Sequence, residues 1–254
     1  MKSISGGIDM DEHCAVYSGT RNLYPYMVGA AKSLVEHSNV DRIFFLIEDE
    51  KFPAWLPDIV TCIDVSNQKF FPQDGPNMKS KFTYMALVRA ALCFILPSYV
   101  KKVLSLDVDT IVKRNVSDIW DLPMDDCYLS AAIEPARSTN GLQYVNIGVT
   151  LFDLEILRES FKAEEVIRVL NKREYPWLEQ DVFSYLCQGY ISEMPSTYNA
   201  NRFVRPWKGE PKIVHFAGYS EWNYFAEVVR YQEKTWEEVL TRRKAMEKEG
   251  LCGF

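Results

Sequence analysis

The stretch LSLDVDTIVK, residues 104–113, joins an apolar segment to two carboxylates and then becomes apolar again. Asp107 and Asp109 stand one residue apart, at the end of a segment whose other residues favour burial. Because burying an unpaired charge is costly, this pair needs a compensating partner. Residues i and i+2 of a strand face the same side, and a turn at this point would also let both carboxylates converge. Two anions this close need a shared proton or a cation, and carboxylate oxygens suit Mg²⁺ or Mn²⁺.

Two other interpretations of the pair stay open on these residues alone. Asp side chains in a turn after a strand often bond to neighbouring backbone groups. An apolar strand followed by DxDT also resembles the first motif of haloacid-dehalogenase-like phosphatases, where the first Asp is the nucleophile and the second the acid–base. In that family the motif usually opens the fold. Here a β–α–β–β–α unit precedes it, which disfavours the phosphatase.

The segments around this stretch alternate between strand-like and helix-like patterns. Strands are predicted over 13–19, 42–49, 59–65, 101–109, 128–134, 145–154 and 211–218, and helices over 25–37, 82–97, 155–171, 179–188 and 224–248. This order predicts an α/β protein with a mostly parallel central sheet and flanking helices. In open sheets of this kind, ligands bind beyond the carboxyl ends of the strands, where the Asp pair lies.

The composition is typical of a soluble globular protein, with 47% hydrophobic and 25% charged residues. The net charge of -6 disfavours a nucleic-acid polymer as partner. The start of the chain has no apolar core of signal-peptide length, and no run of about 18 apolar residues follows, so no membrane span is predicted. The six cysteines are scattered and form no CxxC, which favours reduced thiols and a cytoplasmic location.

Five motifs occur in a fixed order along the chain. They are AVYSGTRNLYPYMVGAAKSL (15–34), FTYMALVRAALCFILPSYVKKVLSLDVD (82–109), AAIEP with YVNIGVTLFDL (131–135 and 144–154), LEQDVFSYL (178–186) and PKIVHFAGYSEWN (211–223). Together they resemble glycosyltransferase family 8, the retaining sugar transferases with a GT-A fold. The resemblance implies one GT-A-type nucleotide-binding domain over 1–222, with 223–254 as a helical extension packed on or beside it.

The resemblance implies a nucleotide-sugar site along the first two motifs. Ser18, Thr20 and Tyr24 would hold the uridine, since a Tyr ring can stack on a base and a hydroxyl can hydrogen-bond it. Arg89 is the only charge on a strongly apolar helix, so it must reach water or an anion, and in the family the matching Arg approaches the sugar nucleotide. The implied set is completed by Val108 and Gly218.

The later motifs supply the sugar end of the site. By resemblance, Asn146 faces the donor sugar, Gly148 permits close backbone approach, and Glu134 contacts sugar hydroxyls. Gln180 and its neighbour Glu179 would lie near the anomeric carbon. The family usually has Asp where this chain has Glu179, which is one methylene longer. The catalytic candidates are therefore Gln180, Glu179 and Asn146.

The resemblance also names the metal ligands. His215, followed by Phe-x-Gly, would join Asp107 and Asp109 in binding Mn²⁺ or Mg²⁺. The family continues with a Lys that touches the diphosphate, but this chain has Glu221 there. A cluster just upstream could provide the missing charge: Arg202, Arg205 and Lys208.

The implied function is metal-dependent transfer of a hexose from UDP-glucose or UDP-galactose to a hydroxyl of a carbohydrate or other acceptor, with retained anomeric configuration. Gln180 is a poor nucleophile, which favours front-face attack, and Glu179 is the candidate for a covalent route. Two alternatives remain: the phosphatase, and a nucleotide-sugar-binding protein with weakened catalysis, suggested by Glu179 and Glu221. The mixed charges of 224–248 fit a solvated face or the packing face of a homodimer.

Overall fold

The computed structural model describes residues 12–80, 82–218 and 221–249, with the backbone alone for 221–225. The strands of this part are β1 Cys14–Ser18, β2 Arg42–Ile47, β3 Val60–Asp64, β4 Lys102–Leu106, β5 Thr110–Val112, β6 Leu129–Ile133, β7 Val145–Asp153, β8 Ile191–Glu193 and β9 Ile213–His215. Its helices are α1 Tyr24–Glu36, α2 Tyr84–Val88, α3 Leu92–Ile95, α4 Leu154–Glu159, α5 Lys162–Leu170, α6 Leu178–Leu186, α7 Glu221–Glu233 and α8 Trp236–Lys248.

The main sheet has seven strands in the order β3-β2-β1-β4-β7-β6-β8. The first four strands are parallel, β7 runs antiparallel to both β4 and β6, and β8 is parallel to β6. Of these seven strands, β7 therefore runs against the rest. Parallel neighbours need a crossover, and α1 supplies it between β1 and β2. The prediction of an α/β fold with a mostly parallel central sheet and flanking helices is confirmed.

Both faces of the sheet are covered, so its central strands are apolar on both sides. Strand β2 shows the alternation: Phe44 and Leu46 face a core shared with the helices from α2 to α6, whereas Ile43 and Phe45 face a core shared with α1 and α8. This double burial explains why RIFFLI reads as a continuous apolar run.

The Asp pair lies in a loop rather than on a strand. β4 ends at Leu106, so the predicted strand 101–109 extends three residues too far at its carboxyl end. The chain then enters β5, which pairs antiparallel with β9 in a separate two-stranded sheet, with Thr110 opposite His215. The Asp109 carbonyl accepts a hydrogen bond from the Phe216 amide at 2.9 Å. This small sheet, which the sequence patterns did not predict, brings His215 beside the pair.

Three predicted helices are interrupted. The 82–97 helix contains a 3-10 turn, Arg89–Ala91, between α2 and α3. The 155–171 helix breaks between α4 and α5, where Phe161 adopts a left-handed conformation with φ of 54°. The 224–248 helix breaks before α8, where Thr235 and Glu238 form a capping box. The predicted helices 25–37 and 179–188 are confirmed as α1 and α6.

The C-terminal helices pack on α1. Lys32 of α1 donates to the Gln232 carbonyl at 3.2 Å, and Lys234 forms an ion pair with Glu36. Val228 of α7 is fully buried and lies against the α1 backbone at Gly29. Because α7 begins at Glu221, it crosses the predicted boundary between 222 and 223, and the division into domain and extension stays a prediction.

Among the described helices, none is both long and apolar enough to cross a bilayer. The structure describes one chain, and the homodimer stays a prediction.

Candidate active site

Three side chains of metal-binding type meet at the carboxyl end of β4. Ligand atoms of Asp107, Asp109 and His215 all lie within 4.8 Å of one another. His215 Nε2 is 3.5 Å from an Asp107 oxygen and 3.4 Å from an Asp109 oxygen. The imidazole is buried, whereas the two carboxylate side chains are 35% and 34% exposed. The carboxylate oxygens of Asp107 and Asp109 are therefore accessible to a ligand, whereas the His215 imidazole is fixed in the protein interior.

The orientation of His215 is set by Asn199. Asn199 Nδ2 donates to the carbonyl and side-chain oxygens of Asn146, at 3.0 and 2.9 Å. Its Oδ1 consequently faces His215 and accepts from Nδ1–H at 2.8 Å. This bond leaves Nε2 as the basic nitrogen directed at the carboxylates, the arrangement that metal-binding histidines require. Asn199 was not predicted, because its role depends on a contact between segments distant in sequence.

Because Gly148 has no side chain, it leaves the space that the His215 imidazole occupies. A Cβ built at this position would lie 2.0 Å from His215 Cε1 and 2.6 Å from Nδ1. Any side chain at 148 would therefore displace the ring. The predicted close approach at this glycine is made by the His215 side chain.

The compensating charge for the Asp pair is present within the chain. Burial alone would lower the pKa of His215, but the facing Asp109 outweighs burial and raises it. Burial alone would likewise raise the pKa of Asp109, and His215 outweighs this effect and lowers it. Arg89 forms an ion pair with Asp107. The His215 imidazole and the Arg89 guanidinium thus face the two carboxylates.

Arg89 connects the pair to the rest of the site. The guanidinium is buried, and its Nη1 donates to the Ile147 carbonyl at 2.7 Å. The same nitrogen lies 3.6 Å from Glu179 Oε1. Arg89 therefore reaches an anion, as predicted, and that anion belongs to the Asp107–Asp109–His215 trio of candidate metal ligands.

Glu179 is a buried acid with an unsatisfied oxygen. The side chain lies at the start of α6, and within the described residues its Oε2 has no hydrogen-bond partner. Burial raises the pKa of this carboxyl to about 8, against an opposing effect of Arg89. At neutral pH the group is therefore mostly the neutral acid, and a neutral carboxyl is a weak nucleophile.

A polar network joins the other sugar-end candidates. Asn146 Nδ2 donates to Glu134 Oε1 at 2.7 Å, and Gln180 Nε2 donates to the same oxygen at 3.4 Å. Gln180 Oε1 accepts from the Ile147 amide at 3.3 Å. Glu134, Asn146 and Gln180 are all buried. They hold one another in place, as the resemblance implied for a shared site.

Two flanking residues of this network were not predicted. Arg137 pairs with Glu134 at 3.4 Å, and its guanidinium stacks 4.2 Å from the centre of the Trp177 ring. In the sequence, Arg137 follows AAIEP by two positions and Trp177 precedes LEQD by one. That closeness to the motifs was the available signal.

These residues open onto one cavity of about 460 Å³. Nine of the predicted site residues line it: Arg89, Asp107, Asp109, Glu134, Asn146, Glu179, Gln180, His215 and Gly218. Ser18, Thr20, Tyr24 and Val108 lie outside this lining. The structure thus brings the metal and sugar candidates together and leaves the uridine candidates apart.

The uridine candidates lie at the end of β1. Ser18 donates to the Met85 carbonyl at 3.2 Å, and Thr20 donates to Asn22 at 2.6 Å. Tyr24 is buried, and its ring packs 4.9 Å from that of Phe52. Stacking of the Tyr24 ring on a base therefore does not match this conformation, because the ring already packs within the protein. A nucleotide role for these residues stays a prediction.

Val108 lies next to the end of β1. A Cβ built at Gly19 would be 3.8 Å from Val108 Cγ1, so the loops that follow β1 and β4 are neighbours. The predicted uridine and metal positions consequently share one edge of the sheet.

The comparison with known families agrees with these motifs. The model of glycosyl transferase family 8 matches residues 14–226. The chain belongs to this family. Among curated proteins it is similar to a putative glycosyltransferase of Haemophilus influenzae, at 23% identity over 72% of this chain and 62% of that protein. Glycosyltransferase GlyE of Streptococcus pneumoniae is 25% identical over 89% of this chain and 60% of its own length. The chain thus spans about three fifths of the length of these curated relatives.

Solved structures share the fold. The galactosyltransferase LgtC, solved with donor and acceptor sugar analogues, has a TM-score of 0.66 at 20% identity, covering 89% of this chain and 100% of that chain. The apo structure of the bifunctional glycosyltransferase WbbM has a TM-score of 0.69 at 16% identity, covering 95% of this chain and 53% of that chain. The family 8 assignment and the GT-A fold are confirmed.

The three basic residues upstream of β9 take different places. Arg202 lines the cavity, whereas Arg205 and Lys208 do not. Glu221 begins α7, but its side chain lies outside the described part of the chain.

Proposed function

We propose that this protein is a retaining glycosyltransferase that moves a hexose from UDP-glucose or UDP-galactose to a hydroxyl of a carbohydrate or other acceptor, with Mn²⁺ or Mg²⁺. One observation supports this most strongly. In a family 8 chain, the Asp107–Asp109–His215 trio shares a cavity with Asn146 and Gln180. A metal-binding trio beside a set of sugar-facing polar groups suits a nucleoside diphosphate sugar.

The donor set fits a hard divalent cation. Two carboxylates and one imidazole nitrogen are ligands that Mn²⁺ and Mg²⁺ accept. Asp107, Asp109 and His215 would hold the ion, and Asn199 keeps Nε2 of the imidazole directed toward the carboxylates. When bound, such an ion supplies positive charge to a departing diphosphate.

The residues of the chain would stabilise the sugar as the bond to phosphate breaks. Loss of the nucleotide leaves positive charge on the anomeric carbon, and nearby oxygens stabilise it. Glu134 and Asn146 carry such oxygens and line the cavity. Gln180 is bonded at both ends of its amide, to Ile147 and Glu134. Its role in this proposal is positioning and electrostatic support.

The same contacts favour front-face attack. The bond from the anomeric carbon to the phosphate oxygen breaks, the acceptor oxygen bonds on the same face, and the acceptor proton passes to the departing phosphate. Gln180 is an amide, and Glu179 is mostly neutral at neutral pH, so neither offers a ready nucleophile. Nuclear magnetic resonance of the product should give a retained anomer, and an inverted product would contradict the proposal. A trapped glycosyl adduct on Glu179 would replace front-face attack with a covalent route.

The test of the function is metal-dependent release of UDP. The protein is incubated with UDP-glucose or UDP-galactose and Mn²⁺, with and without EDTA, and UDP is measured. Asp109→Asn should abolish the release, whereas Asp121→Asn, at an unrelated exposed position, should not. Phosphate release from a small ester would indicate the phosphatase. Uptake of UDP without turnover of the sugar would indicate the binding protein.

The acceptor and location belong to the same proposal. LgtC, which shares the fold, was solved with an acceptor sugar analogue, which supports a saccharide acceptor. A cytoplasmic location is supported by the unpaired thiols of Cys14, Cys93 and Cys187, which are buried and whose pKa burial raises to about 12.

A further inference from the structure

We propose that Arg202 binds the diphosphate of the nucleotide donor. This inference rests on the proposed function, since it assigns one more contact within the same cavity. The ligand class is a nucleoside diphosphate, alone or carrying a sugar.

The charges around the cavity single out this residue. Four basic side chains line it, and three of them face a carboxylate: Arg89 faces Asp107, Arg137 faces Glu134 and His215 faces Asp109. Arg202 differs from them. Within the described residues, its guanidinium has no hydrogen bond and no ion pair, and its ring contact is with Phe203 at 4.8 Å. Among the basic residues that line the cavity, Arg202 is therefore the one whose charge is not balanced by a carboxylate of the described residues.

Arg202 lines the same cavity as Asp107, Asp109 and His215, and its guanidinium lies against the backbone at Gly218. Gly218, three residues after His215, has a φ of 65°, a conformation that favours glycine. A Cβ built on it would lie 2.6 Å from Arg202 Nη2 and 2.9 Å from Cζ. The guanidinium thus lies directly against the backbone that follows β9. Gly218 and Arg202 both line the cavity with the trio.

The neighbouring basic residues lack this placement. Arg205 lies 4.8 Å from the Trp207 ring, and neither it nor Lys208 lines the cavity. Of the three basic residues, Arg202 therefore lies at the cavity, whereas Arg205 and Lys208 lie away from it. Arg205 belongs to the same segment and is also an exposed arginine, which makes it a matched control.

The chemistry of the ligand matches an arginine here. A guanidinium offers a planar fork of donors that can bond two phosphate oxygens at once. Besides the mostly neutral Glu179, the cavity is lined by three further acidic side chains: Asp107, Asp109 and Glu134. A diphosphate entering beside these acids needs positive charge that is not already engaged with them. Arg202 provides it.

The test is calorimetric titration of UDP into the protein in the presence of Mn²⁺. Arg202→Gln, which removes the charge and keeps most of the stem, should weaken UDP binding about ten-fold, as expected for one exposed charged hydrogen bond. Arg202→Lys should lie between it and the unchanged protein. Arg205→Gln should bind UDP normally. Uridine binding is measured by ligand-observed nuclear magnetic resonance and should be equal for the unchanged protein and Arg202→Gln. Binding of Mn²⁺ alone should also be equal for these two proteins.

The outcomes separate this inference from the proposed function. If the unchanged protein binds UDP and Arg202→Gln binds it as tightly, the inference is wrong and the proposed function stands. If the unchanged protein fails to bind UDP with Mn²⁺, both are wrong. Equal weakening by Arg205→Gln, or of uridine, would also overturn the inference, because the effect would not be specific to the diphosphate. Matching thermal unfolding curves verify that the variants are folded.

Discussion

At the residue scale, the site depends on a missing side chain as much as on those present. Gly148 lies on a fully buried strand, β7, where glycine has no side chain to pack. Its value lies in the contact with His215, whose ring occupies the volume of a Cβ. The motif predicted that Gly148 allows a close approach. Which group approaches could be seen only once β9 was placed beside β5.

Replacing Gly148 by alanine should disrupt the Asp107–Asp109–His215 trio. The new Cβ would lie 2.0 Å from His215 Cε1, so the ring must move in a packed environment. We expect Mn²⁺ affinity, measured by calorimetry, to fall at least about ten-fold, and the free energy of unfolding to fall by about 1–3 kcal/mol.

The control for this variant removes the ring. If the clash is the cause, adding His215→Ala to Gly148→Ala should recover part of the lost stability, measured by urea unfolding. Normal Mn²⁺ binding by Gly148→Ala would contradict the prediction, because the His215 ring would then avoid the new Cβ without leaving the site.

The buried acid Glu179 should make stability depend on pH. Burial raises its pKa from the ordinary 4.5 to about 8. Between these values the folded protein keeps a proton that the unfolded chain releases. The stabilising contribution is therefore full below the unfolded pKa and is lost as pH rises through the folded pKa.

Glu179→Gln cannot titrate, so its free energy of unfolding should fall less steeply between about pH 5 and about pH 8, by up to about 1.4 kcal/mol per pH unit. Urea unfolding in EDTA measures this, with exposed Glu164→Gln as the control, which should keep the original slope. An unchanged slope for Glu179→Gln would mean that the acid is already ionised in the folded protein.

At the element scale, long buried strands and amphipathic helices were predictable, and short pairings and helix breaks were not. The strand predicted over 211–218 is confirmed as the shorter β9, but β5 has three residues, too few to show a period, and the pairing of the two was not predicted. The break at Thr235 did carry a local signal, because Thr followed by Glu three positions later is a capping box. The break at Phe161 has no such signal, since a left-handed aromatic residue contradicts local preference.

Phe161→Gly should therefore stabilise the protein. Phe161 is 72% exposed, so little burial is lost, and glycine adopts its φ of 54° without the penalty that an L side chain incurs. We expect a gain of about 0.5–1 kcal/mol in the free energy of unfolding, measured in urea. Phe94→Gly, at another exposed phenylalanine but inside α3, should destabilise instead. A loss of stability at Phe161 equal to that at Phe94 would rule out relief of backbone strain.

At the scale of the whole molecule, the motifs predicted the fold and most of the cavity because most of them lie at strand ends on one sheet edge, with α6 beside it. They did not predict the partners Arg89–Asp107 or Asn199–His215. Those pairs join elements through the packed structure, and no local pattern encodes them. The packing of the C-terminal helices against α1 was likewise not predicted, because the sequence pattern of 224–248 indicated only that the segment is helical.

Removing residues 223–254 should destabilise the remaining protein. Val228, Trp236 and Val239 are buried at 0%, 5% and 0% exposure, and burying each such side chain contributes about 1.5–3 kcal/mol. Their loss would expose the outer face of α1. Thermal unfolding should show a lower midpoint for this truncation, whereas Glu237→Gln, at an exposed position of α8, should leave it nearly unchanged. An equal midpoint for both would mean that the helices contribute no net stability.

The pairing of β5 with β9 also sets an order of assembly. The carboxylates and the imidazole reach each other only when Thr110 and His215 come into register, and a slip of one residue would turn His215 to the opposite face. During synthesis, Asp107 and Asp109 leave the ribosome long before His215 does. A growing chain therefore cannot form the trio until the strand Ile213–His215 has emerged and closed the loop back to β5.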